Sequence, residues 1–135
     1  MNFICYNIYK ARRALLLCLK FQFKEREYMT VKEIIEYTDK LRPNTHDAAT
    51  KLAWINHVEG MVQSEIMNTP IDSVRQLFSE NDTVSVKHPY SQVYSYYIIA
   101  MIDFFSGDIQ RYKNSAEAYN DAMKTYAKYV ARGGK

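Results

Sequence analysis

Between Ile109 and Val130 the apolar side chains fall at Ile109, Tyr112, Ala116, Tyr119, Met123, Tyr126 and Val130, in steps of 3, 4, 3, 4, 3 and 4. Only a helix aligns such positions on one face, and the spacing holds for three heptads. The helix predicted here starts after Ser106-Gly107-Asp108 and stops before Gly133-Gly134. Its length is about 33 Å at 1.5 Å per residue. A helix with one apolar face needs a second element to cover that face. Tyr112, Tyr119 and Tyr126 share a heptad position where a zipper carries Leu or Ile. A tyrosine buries its ring but needs a partner or water for its hydroxyl. The face therefore suits a bundle groove or a partly wet subunit interface, not a dry zipper.

A partner for that face is close in sequence. Tyr90–Phe105 is apolar nearly all round: Val93, Tyr94, Tyr97, Ile98, Met101, Ile102 and Phe105 form one set, with Tyr96, Ile99 and Phe104 on other sides. Such a helix belongs at the centre of a bundle. It is too short and too tyrosine-rich to cross a membrane. Upstream, Thr30-Val31-Lys32-Glu33 reads as a capping box. It opens a helix with Val31, Ile34, Ile35 and Leu41 on one side, which Pro43 stops. A second helix carries Leu52, Ile55, Val58, Val62 and Ile66 at helical spacing, widened by Trp54 and Met61. Asn44 or Thr45 is the expected cap, Asp47 a favourable first-turn acid, and Gly60 a mark of close packing or a bend. Asn68-Thr69-Pro70 ends it. Residues 71–88 admit two readings: a short helix through Val74, Leu77 and Phe78, or strands at Ser73–Phe78 and Thr83–Val86 around Ser79–Asp82. The expectation is an exposed loop or hairpin arm. The fold class is all-α: a small bundle of about four helices with a long C-terminal helix and an irregular or hairpin arm near 71–88.

Charge divides the chain unevenly. Residues 1–28 hold six Lys/Arg and two acids, net +4, while residues 29–135 hold 12 Lys/Arg and 13 acids, net −1. Both cysteines, Cys5 and Cys18, lie in the first segment. The near-neutral body lacks the footprint of a nucleic-acid binder and has no thiol for a disulfide or a zinc site. The apolar run Ala14–Leu19 ends at Lys20 with no A-x-A site behind it, too short for a signal peptide or a transmembrane helix. Lys24-Glu25-Arg26-Glu27 can be encoded by an almost pure purine tract just before Met29, as a bacterial ribosome-binding site reads when translated. The expectation is a basic extension over 1–28, outside a single helical domain over 29–135, with translation starting at Met29.

Chemistry is sparse. His46, His57 and His88 show no H-x-x-x-H or H-E-x-x-H spacing, and no G-x-G-x-x-G, G-x-x-x-x-G-K-[ST] or G-x-S-x-G motif occurs. No catalytic residue, metal site or cofactor is expected. Asp103 and Asp108 flank the Ser106-Gly107 break; a structural pairing of either with Arg111, fixing the angle between two helices, is simpler than a carboxylate pair for glycoside hydrolysis. Lys113, Lys124, Lys128, Arg132 and Lys135 interleave with tyrosines, but they spread around the helix and complement its C-terminal dipole.

His88-Pro89-Tyr90, Tyr94, Tyr97, Ala100-Met101-Ile102-Asp103, Gly107-Asp108, Arg111-Tyr112-Lys113-Asn114-Ser115 and Tyr119-Asn120, in that order and spacing, resemble the head–tail connector, or head-completion adaptor, proteins of tailed phages and prophages. The resemblance covers 29–135 and matches 71–88 only loosely. It implies a non-enzymatic module that assembles as a twelve-fold homo-oligomeric ring under the portal protein. Such a ring extends the DNA channel and meets the next head-completion or tail protein. It implies a place at the head–tail junction of the virion, in the host cytoplasm before assembly, with no membrane partner and DNA met only as it passes. Tyr90, Tyr94, Asp103, Arg111, Tyr112 and Asn114 are the candidate fold-defining residues. Leu77, Phe78, Tyr126, Tyr129 and Arg132 are the candidate subunit or portal contacts. The alternative is a phage-encoded helical regulatory or DNA-binding protein.

Overall fold

The computed structural model describes residues 27–134. A three-residue strand, β1 (Tyr28–Thr30), leads directly into α1 (Val31–Leu41). The capping box forms as the sequence predicts: Thr30 Oγ1 accepts from the Glu33 N–H at 3.2 Å, and Glu33 Oε2 accepts from the Thr30 N–H at 3.0 Å. Two further orphan donors of the first turn, the N–H groups of Val31 and Lys32, reach the carbonyls of Asp82 and Glu80. Val31 and Ile34 are buried and Ile35 packs beside them, whereas Leu41, expected on the same side, is exposed.

Helix α2 (Ala48–Met61) is capped by Asp47, whose Oδ1 accepts from the Thr50 N–H at 2.8 Å. The expected caps fail for a local reason. The amide of Asn44 is engaged with Asp39 and the Arg42 carbonyl, so it braces the loop instead. Gly60 marks no close packing, since a Cβ there would meet nothing within 4 Å. The helix instead loosens into a π turn, Val62–Ile66, closed by Met67 N–H to Val62 C=O at 3.0 Å. Asn68, at φ 56°, turns the chain away.

Residues 71–88 adopt neither expected form as drawn. A single 3-10 turn (Ile71–Ser73) precedes an extended stretch, and then β2 (Thr83–Lys87) runs antiparallel to β1, with Tyr28 opposite Lys87 and Thr30 opposite Thr83. Five residues of β2 lie opposite three of β1, so the ladder is bulged. The strand at 83–86 exists, but its partner lies at the start of the fold and not at 73–78. Leu77, Val84 and Val86 are buried, so the segment closes the core and does not project as an arm. Its irregular character survives in the extended stretch. There the Leu77 N–H and C=O are held by Asn56 Oδ1 and Nδ2 at 2.8 and 2.9 Å, and the Arg75 N–H by Gln63 Oε1 at 2.9 Å. Side-chain amides of α2 and its π turn thus replace a neighbouring strand.

Helix α3 (Gln92–Ser106) packs on α1, α2 and α4 (Ile109–Ala131), the central position its all-round hydropathy predicts. Gly107 closes α3 at φ 80°, a left-handed cap that glycine adopts without penalty. Asp108 Oδ1 then caps α4 by accepting from the Arg111 N–H at 3.1 Å. The molecule is the small four-helix bundle expected, with a two-stranded clasp. Glu27 and Tyr28, placed in the extension by sequence, take part in that clasp: the His88 N–H donates to the Glu27 carbonyl at 2.9 Å, and Lys87 Nζ meets Glu27 Oε1 at 3.1 Å. The rest of the predicted extension, both cysteines included, lies outside the described residues.

Candidate functional site

Three places on this frame concentrate chemistry or exposed apolar surface. The first is inside. Glu59, on the core face of the last turn of α2, is fully buried. Its Oε1 accepts from the Ser85 N–H at 2.5 Å and the Tyr94 hydroxyl at 2.6 Å, and its Oε2 from Gln63 Nε2 at 2.6 Å and the Ser85 hydroxyl at 2.9 Å. Four donors on two oxygens is the pattern of a carboxylate. Burial, and then the Glu59 charge and hydrogen bond, push the Tyr94 phenol well above its ordinary range. The cluster joins α2, β2 and α3. Glu59 and Tyr94 are fully buried, and Ser85 is half-buried beside them. Sequence reading passed over Glu59. Its spacing from Ile55 and Val62, four and three residues, was the signal that placed it on the core face.

The second place is the corner between α3 and α4. Phe104 and Phe105 end α3, and Ile109 begins α4; they are 54%, 59% and 70% exposed. Phe105 stacks on Trp54 at 6.1 Å between centroids and leans on His46 at 5.9 Å, and Phe104 meets Tyr112 edge-on at 5.3 Å. Beneath the corner Asp103 is buried. It forms an ion pair with Arg42, Nε to Oδ1 at 3.3 Å but out of line for a hydrogen bond, and accepts a very short hydrogen bond from the Ser115 hydroxyl. Asp103 therefore ties the end of α1 and the first turns of α4 to α3. Of the two partners expected for Arg111, it takes Asp108, loosely at 3.8 Å with both side chains exposed, and not Asp103.

The third place is a groove of about 530 Å³ along the outer side of α2. Ala53, His57, Gly60, Met61, Ile71 and Val74 are among the residues that line it. Ile71 is 79% exposed. The His57 ring is held by stacking on Tyr97 at 5.2 Å.

The predicted residues divide accordingly. Tyr94 and Asp103 are the buried hubs just described. Tyr90 stacks on Tyr129 at 4.5 Å and meets Tyr126 at a tilt at 5.6 Å, and Tyr97 meets Tyr119 at 5.1 Å. The heptad tyrosines thus lie in an intramolecular groove against α3. Asn114 is exposed and accepts from Gln110. Among the predicted contacts, Leu77 and Tyr126 are buried within the bundle and offer no surface. Phe78 and Arg132 are exposed and Tyr129 is half-buried. Among the described residues no group of three or more His, Cys, Asp or Glu could hold a metal ion, and no helix is long and apolar enough to cross a membrane. Comparison with protein-family models, curated proteins and solved structures finds no match.

Proposed function

We propose that this chain is a structural head–tail connector of a tailed-phage particle, assembling as a homo-oligomeric ring between the portal protein and the next head-completion or tail component. One observation carries the reading. The buried polar side chains Glu59, Tyr94 and Asp103, with Ser85, are committed to holding elements together, while large apolar side chains are exposed at the α3–α4 corner and along the groove. Exposed apolar patches on a rigid frame mark contact surfaces. The near-neutral body suits a channel wall that DNA passes without being retained. The residue pattern through 88–120 supports the same assignment.

The test is peptide mass spectrometry on purified particles of the phage or induced prophage that encodes the chain. The expected result is its presence in intact virions at low copy relative to the major capsid protein. Absence from virions, with the protein abundant in the producing cell, would overturn the proposal in favour of a helical regulatory or DNA-binding role.

A further inference from the structure

The corner and the groove match each other. The corner is a convex aromatic and aliphatic knob: Phe104, Phe105 and Ile109. The groove is concave, and the small residues Ala53, Gly60 and Ser64 are part of its lining, with open space beside Gly60. Each carries one exposed acid and one exposed base three residues apart, Asp108 and Arg111 beside the knob, Asp72 and Arg75 beside the groove. The Asp108–Arg111 pair is loose, at 3.8 Å with both side chains exposed, so each can take a partner across a contact. The two surfaces involve different residues: Phe105 packs on Trp54 and His46, whereas the groove is lined by Ala53, His57, Gly60 and Ser64 of α2 and its π turn and by Ile71 and Val74.

From this we infer that the knob of one copy seats in the groove of a second copy, with Asp108 meeting Arg75 and Arg111 meeting Asp72. The inference deepens the connector reading and rests on it for the biological setting. A contact between two different patches of the same chain is heterologous, so every bound copy leaves one knob and one groove open, and association continues into a ring or an open chain. Its area is small. Taking about 200 Å² for a full aromatic side chain, the knob offers about 350 Å², under half of the roughly 800 Å² per partner of a standard interface. The contact therefore belongs to the weak class and shows itself at high concentration, or where a larger partner gathers the copies.

The experiment is sedimentation of the full chain from about 10 µM to about 1 mM, the range in which weak contacts operate. Two variants spare the monomer. Ile109→Glu puts an acid in the first turn of α4, where the helix dipole favours it. Gly60→Gln replaces glycine by a better helix former in open space. Circular dichroism checks that both fold. The wild type is expected to pass beyond dimer with rising concentration. Each variant alone should associate at least tenfold more weakly. An equimolar mixture should recover dimers and stop there, because the intact knob of Gly60→Gln fits the intact groove of Ile109→Glu. A wild type that stays monomeric, association indifferent to either variant, or a mixture without recovery would each overturn the inference. Finding the chain in virions alongside such a result would retain the connector proposal and reject only this contact.

Discussion

Replacing Tyr94 by Phe isolates one oxygen in the buried cluster. The ring is fully buried and its packing is kept. What goes is the donor to Glu59 Oε1 at 2.6 Å and a long acceptor contact from the Val86 N–H at 3.4 Å. A hydrogen bond to a charged group contributes about 1.5–3 kcal/mol. Glu59 keeps Ser85 N–H, Ser85 Oγ–H and Gln63 Nε2–H, so the carboxylate is weakened and not stripped. The expected loss is about 2 kcal/mol, or about 10 °C in Tm for a domain of this size. Urea unfolding at pH 7, followed by the fluorescence of Trp54, the single tryptophan, reads it directly. The m-value should not change, because the same surface is exposed on unfolding. A loss below about 0.5 kcal/mol, or a gain, would refute the argument that the hydroxyl donates to a buried carboxylate. Glu59→Gln serves as the companion: an amide nitrogen cannot accept, so at least one donor is left facing another, and the loss should equal or exceed that of Tyr94→Phe.

Alkali should unfold the protein through its tyrosines. Desolvation raises Tyr94, Tyr97, Tyr119 and Tyr126 above the ordinary 10.0. The folded state therefore holds these protons more tightly than the unfolded chain. That stability is complete below pH 10 and falls as pH rises toward the folded values, by about 1.4 kcal/mol per pH unit for buried Tyr94 alone. Urea midpoints that stay level from pH 10 to 11 would contradict it. Gly107→Ala, at φ 80°, should lower stability by about 1 kcal/mol in thermal melts, although its Cβ would meet no neighbour. Asp103→Asn should cost about 2 kcal/mol by weakening the charged bonds to Arg42 and Ser115, and equal stability in urea would show the three-helix tie to be idle.

Where structure follows from neighbours in sequence, the residues were sufficient. The Thr30–Glu33 box, the Gly107 break and the heptad of α4 each involve groups within one or two turns, and all three appear as read. The apolar circumference of α3 likewise announced a central helix. What escaped reading depends on distant partners. β1 is three residues long and carries no pattern of its own; it is a strand because Thr83–Lys87 lies beside it. The stretch around Leu77 looked like an exposed arm because nothing local shows that Asn56 and Gln63 will hold its backbone. Glu59 could be placed on the core face by spacing, but Tyr94, its partner, is 35 residues away. The two apolar surfaces are the hardest case, since an exposed Phe or Ile at a helix end reads like any other apolar position of that helix.

The clasp between the two strands also orders events in time. Helices α3 and α4 meet across a turn of two residues, so their tyrosine contacts close with little loss of chain entropy. Lys87 and Glu27 are 60 residues apart, and joining them encloses α1 and α2 in one long loop. Contacts of such separation form late. The folding nucleus is then expected in the C-terminal hairpin, with Tyr97 and Tyr119 giving high φ-values and Val84 and Val86 low ones. On that route the N-terminal helices are collected last, and the strand pair is the knot that keeps them.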